Sequence, residues 1–267
     1  TVSKVGALGT AAAVSGQSTD LTGASVTDAA RSDIVTVDSG KIVLRTSTGD
    51  LVLSDGSATA SGQSLNANGG GSILVQALAG AVRVEADIRS GSGHVAIRAG
   101  TSLSVGTASL SGVDVATSGT GDVLLQAAGG DLTMDGSASV AAGRNAQLKA
   151  DAAISLGTVT AGGSVSIVSG TGLIAPAANR ASTSPLVTAE ALKLNANGSI
   201  GTASLPLSIE VARLAARTAG GGSAGIFILE RNDIAVDGVE APIKTLAADG
   251  SLVDVADALM GDLTVAA

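Results

Sequence analysis

His94 is the only histidine in the chain and opens the phrase "GHVAIRA". Zinc centres and hydrolytic triads draw on imidazole, so a His-pair metal site is excluded and one Ser-His-Asp arrangement at most remains. Ser and Asp are abundant, which makes that arrangement unspecific. At the start of a strand phrase, His94 is expected to be an exposed turn residue. Glu85 and Asp87 in "VRVEADI" are two residues apart, as on one strand face, and paired carboxylates can hydrolyse glycosidic bonds. Sugar-processing clefts generally need aromatic platforms, however, and Phe227 is the only aromatic residue. No catalytic residue is assigned, and the chain is expected not to be an enzyme.

Carboxylates also recur at turns, at Asp50, Asp122, Asp131, Asp135 and Asp151. Stacked turn carboxylates can hold calcium, but the glycine-rich nonapeptide and the acidic loop that build such sites are both missing. Asp beside Gly is more often a turn former. "GGGS" at 69–72 and "AGGGSAG" at 219–225 lack the Lys-Ser/Thr ending and following helix of a phosphate loop, and are expected to be corners. No metal ion and no cofactor is expected.

One row of residues is partly basic: Arg45, Gln76, Arg98, Gln126, Lys149, Val168 and Asn195 occupy the same place in successive phrases. If they stack, amides separate the like charges. The expectation is a solvated face; a basic stripe for an acidic glycan is the sharper alternative. With 15 basic and 23 acidic residues the net charge is -8, which disfavours a nucleic-acid partner. No run of apolar residues is long enough for a membrane span, so no membrane insertion is expected of this segment.

The elements that carry these residues follow from a repeat. Two aliphatics at i and i+2 precede a small residue at i+4 in "GKIVLRT", "GSILVQA", "GHVAIRA", "GDVLLQA", "NAQLKA", "GSVSIVS", "EALKLNA" and "VARLAA". Their first aligned residues are Ile42, Ile73, Val95, Val123, Ala146, Val165, Leu192 and Ala212, so the steps run from 19 to 31 residues. A period of that size marks a solenoid, and the internal period of two marks its units as strands. A second burst follows each turn, at Leu51 and Leu53, Val82 and Val84, Leu103 and Val105, Leu132 and Met134, and Ile154 and Leu156. A third often follows, as at Val113 and Val115 or at Val140.

Three short strands per repeat predict an all-β fold, a parallel β-helix of about ten coils of roughly 20–30 residues. One coil buries four or five aliphatics at roughly 1.5–3 kcal/mol each. Ordering its two dozen residues costs roughly 1–2 kcal/mol apiece, so coils must stack to fold. Residues 1–267 are expected to form a single solenoid segment, a fragment of a much longer chain. The rhythm breaks at 169–190, which contains Pro176 and Pro185; the expectation is a structural wrap over the sheet, and the sharper alternative is a protruding loop with Asn179 and Arg180 near its tip. Those two residues are the weak binding candidates.

The phrases "GGSVSI" and "GDVLLQAAGGDLTM" and residues 143–163 resemble the repeats of filamentous haemagglutinin-type adhesins. Residues 192–239, with their "SIGT" turn, "PL" and "LAA" strands and "FILE" strand, resemble a recurrent unit of very large bacterial surface adhesins. The resemblance covers about residues 34–240 and implies that the β-helix is right-handed. It implies a stalk segment of a secreted or Gram-negative cell-surface adhesin, exported through an outer-membrane transporter by two-partner secretion or as an autotransporter passenger. It further implies roles in cell adhesion and biofilm, with host-cell or matrix glycans or proteins, or like adhesin molecules, as partners. The alternatives are a β-helical carbohydrate-binding or carbohydrate-active protein and a self-assembling extracellular matrix or surface-layer protein.

Overall fold

The computed structural model describes residues 33–55, 62–107, 112–180, 184–221 and 224–265, with the backbone of the antiparallel strands Thr10–Ala13 and Ala24–Thr27. The fold is all-β, a parallel β-solenoid of about seven turns. The long face stacks Ile42–Thr46, Ile73–Ala77, Val95–Ala99, Val123–Ala127, Ala146–Ala150 and Ser164–Ser169, then the second halves of Val187–Ala196 and Leu207–Thr218. A second face stacks Leu51–Leu53, Val82–Val84, Leu103–Val105, Leu132–Met134, Ile154–Leu156 and Ile174–Pro176, and single bridges at Ile200 and Ile226 extend it. The third begins with Ile34–Thr36 and Gln63–Ala67 and ends in the first halves of the two longest strands.

Alternation places Ile73, Val75 and Ala77 inward, in register with Val95, Ile97 and Ala99 and with Val123, Leu125 and Ala127. The core runs unbroken from Ile42 to Ala216 and is aliphatic, while Phe227 lies outside it. The small third position fits each strand end where the core narrows, with Ala, Ser169 or Thr218 in the later turns. Only the eighth phrase departs from the expected alignment. Leu192 registers with Leu214 rather than Ala212, because the chain bends around exposed Ala212 before the inward alternation resumes.

About seven turns stand where the periodicity alone suggests about ten. Thr10–Ala13 and Ala24–Thr27 pair with each other, and residues after Val236 leave the stack. Seven spacings of about 4.8 Å make a rod of about 34 Å.

One corner depends on glycine. A Cβ on Gly71, Gly93 or Gly121 would meet the carbonyl oxygen of the glycine one coil back, respectively Gly40, Gly71 or Gly93, well inside contact distance. Backbones at this corner are therefore too close for any side chain. Gly93→Ala is expected to lower stability by about 1–3 kcal/mol, read as a fall in the thermal midpoint.

Candidate functional site

Three consecutive apolar residues in "ILVQA" and "VLLQA" put Leu74 and Leu124 on the outside of the long face, with Ala96 between them in register. Something apolar must cover that row. After Val236 the chain runs back over the sheet as an antiparallel hairpin, Ile243–Leu246 with Leu252–Val255. Its Ile243 and Leu246 are buried against Leu74, Ala96 and Leu124. The hairpin then returns to the stack through Leu263–Val265, which pairs with the last long strand. This strap also lies against the row beginning at Arg45. The row stacks as expected, but its middle is half-buried rather than solvated.

Polar contacts fasten the strap. Gln147 Nε2 donates to the Ala241 carbonyl at 2.7 Å and Asn145 Nδ2 to that of Pro242 at 2.8 Å. Lys41 Nζ reaches the Gly250 carbonyl at 2.8 Å. Fully buried Asp122 is the centre of the fastening. Its carboxylate accepts the Lys244 N–H of the strap at 2.7 Å, the Asn145 N–H at 3.1 Å and both arms of the Arg144 guanidinium, with Arg144 Nε at 2.8 Å. Burial pushes this carboxyl up, but Arg144 and the two backbone N–H groups outweigh it and hold it well below the usual carboxylate range.

His94 is a correction to the sequence expectation. It is only 8% exposed, and its Nδ1 accepts the Asp122 N–H at 3.1 Å. Its neighbours on the next coil enclose it, a relation that spacing within one phrase does not reveal.

The 169–190 excursion is shorter than its composition suggests. Ser164–Ser169 and Ile174–Pro176 complete an ordinary turn, so the insertion begins at Ala177, and residues 181–183 lie outside the described residues. The segment lies against a corner of the stack: Asn179 Oδ1 accepts the Gly136 N–H at 2.8 Å and Nδ2 donates to Asp135 at 2.5 Å. Ser137 and Asn179 hold the Asp135 carboxyl below its ordinary value. Arg180 Nη2 donates to the Ser184 and Pro185 carbonyls at 2.9 and 3.1 Å. Beside it a groove of about 250 Å³ is lined by Pro176, Arg180, Leu186, Leu205, Leu229 and Arg231. Burial, aided by the charge of Arg231, lowers the Arg180 pKa. Two guanidiniums against an apolar wall suit a ligand with an acidic group on an apolar body. Arg231 was not legible as Arg180's neighbour, since the two are 51 residues apart.

Comparison with protein-family models, curated proteins and solved structures gives no match.

The remaining sequence candidates are separated or engaged. Glu85 and Asp87 do not share a strand face, because the corner at Ala86 divides them. Asp87 Oδ2 pairs with Arg89 at 2.7 Å, and its other oxygen accepts the Asp114 N–H at 2.8 Å. Asp50 and Asp131 accept the N–H groups of Ala81 and Ala153 on the following coil, at 2.8 and 2.9 Å. Among the described residues no three His, Cys, Asp or Glu side chains come together as a metal cluster. Nor is any helix among them long and apolar enough to cross a membrane.

Proposed function

We propose that the chain is a structural and adhesive segment of a large secreted or surface-anchored bacterial adhesin, a stiff spacer that performs no catalysis. The observation that carries this reading is the unbroken aliphatic core from Ile42 to Ala216, roofed by the strap. Parallel strands in register resist bending, and the strap ties distant coils together. The resemblance of residues 143–163 and 192–239 to adhesin repeats supports the same assignment, and with it an extracellular location and export through an outer-membrane transporter. In this reading the Arg180–Arg231 groove is where the segment touches a host-cell or matrix glycan or protein.

Binding of the purified chain to a glycan and matrix-protein array tests it, beside a panel of polysaccharide lyase and hydrolase substrates. The expected result is binding without turnover, weakened at least about tenfold in Asn179→Ala/Arg180→Ala, about 1.4 kcal/mol. Turnover of any polysaccharide would replace the spacer with a carbohydrate-active enzyme.

A specific observation favours self-assembly as a second reading. Val236, Leu263 and Val265 pair with the last long strand yet stay 49%, 49% and 53% exposed, leaving an apolar surface at that end of the stack. Exposed strand edges of this kind template association. Light scattering that rises with concentration, and less in Leu263→Lys, supports that reading; a strictly monomeric chain removes it.

A further inference from the structure

Positive charge gathers on the long face beside the strap. Arg98, Gln126 and Lys149 stand in one register row on three successive strands. Lys193 lies two strands beyond Lys149 and is nearly buried. Its Nζ is matched by Asp257 at 2.7 Å and by the Ala258 carbonyl at 2.6 Å. Lys149 has no comparable partner. It is half-buried, and no hydrogen bond or ion pair engages it among the described residues. Burial lowers its pKa, Lys193 and Arg98 add to the effect, and only Asp257 opposes it. Arg98 Nη2 reaches Thr245 Oγ1 at 3.3 Å, while its Nε is buried without a partner.

Asp257 is thus engaged by Lys193 and reaches Lys149 only through its charge, in a chain whose net charge is -8. Buried donors and charges are ordinarily matched. Here Arg98 Nε and Lys149, both without a partner among the described residues, share a row with the Gln126 amide between them. Arg98 and Lys149 are two strand spacings apart, about 10 Å, a gap two long side chains can close on a group above Gln126. An acceptor with several oxygens would take a charge-assisted hydrogen bond from each end. We propose that Arg98, Gln126 and Lys149 form an oxyanion-binding site along the margin of the strap, taking a carboxylate, phosphate or sulfate group. The site is separate from the Arg180–Arg231 groove and does not depend on the adhesin reading.

Thermal unfolding of the intact chain tests it in sodium chloride at fixed ionic strength, with millimolar sodium sulfate, sodium phosphate or sodium glucuronate exchanged in. Wild type is compared with Lys149→Met and with Arg83→Gln, which changes an exposed arginine on another face. At ten times the dissociation constant the midpoint of wild type and of Arg83→Gln is expected to rise by about 3–6 °C, and that of Lys149→Met to stay unchanged. In chloride alone Lys149→Met should melt at or above wild type, because it removes an uncompensated charge. Response to sulfate and phosphate alone identifies an inorganic ion as ligand; response to glucuronate identifies a carboxylate. Equal shifts in wild type and Lys149→Met, or none in wild type, overturn the site. If Lys149→Met does not fold, the Arg98 Nε–H resonance of wild type decides: a saturable shift on titration supports the site, and an unmoved signal overturns it.

Discussion

Leu125→Asp should leave the chain unable to fold, whereas Leu124→Asp should leave the solenoid folded and lift the strap. The two leucines are sequence neighbours on one strand and point to opposite sides of the sheet. Leu125 is fully buried in the main core, in register with Ile97 and Leu148, and an aspartate there has no partner within reach of the stacked aliphatics. Deleting a buried leucine alone costs about 2–5 kcal/mol, and an unpaired carboxylate adds a further penalty. That total rivals the whole stability of an ordinary domain, about 5–15 kcal/mol. Leu124 instead meets Ile243 and Leu246, so its loss is confined to the strap. Circular dichroism should show no cooperative β transition for Leu125→Asp. For Leu124→Asp it should show a near-native transition, with rapid proteolysis near Gly250 as the sign of a released hairpin. Equal behaviour of the two variants would mean that strap and core are not separable.

Acid should loosen the strap through Asp122. Its folded pKa is depressed below the unfolded value of about 4, so the stability it contributes is fully present above that value. It is lost as pH falls below about 4 toward the folded pKa, because the protonated carboxyl can no longer satisfy Arg144 and the Lys244 and Asn145 N–H groups together. Asp122→Ala should cost about 3 kcal/mol at neutral pH, as removing one member of a buried pair does. It should also flatten the decline of stability below about pH 4. Denaturant unfolding at several pH values reads both effects. An unchanged pH profile in the variant would place the acid sensitivity elsewhere.

The solenoid was legible because its signal is local and repeated. Ile73, Val95 and Val123 each head a phrase whose period of two sets which side chains turn inward, and stacking in register needs no further information. The strap was not legible. "IKTL" and "LVDV" look like any other coil phrase, and nothing in them states that they pair antiparallel and lie across the sheet. The signal that was present lay in Leu74 and Leu124, apolar residues at outward positions where alternation calls for polar ones. Asp122 and His94 were hidden for the same reason. Each reads as a turn residue within its own phrase, and only stacking the coils and adding Lys244 from far along the chain shows them buried. Asn179 and Arg180 were legible as an interruption, but not as residues engaged at the corner near Asp135, because that contact joins two different turns.

Repeat architectures ordinarily hold together by nearest-neighbour couplings, so they can peel from either end one repeat at a time. Here Lys41 in the first described coil is joined to Gly250, 209 residues away, while the same hairpin is rooted beside the last long strand. Loss of the first coil therefore strips a contact made by the hairpin. The strap thus adds to the pairwise couplings a link between coils that are not neighbours.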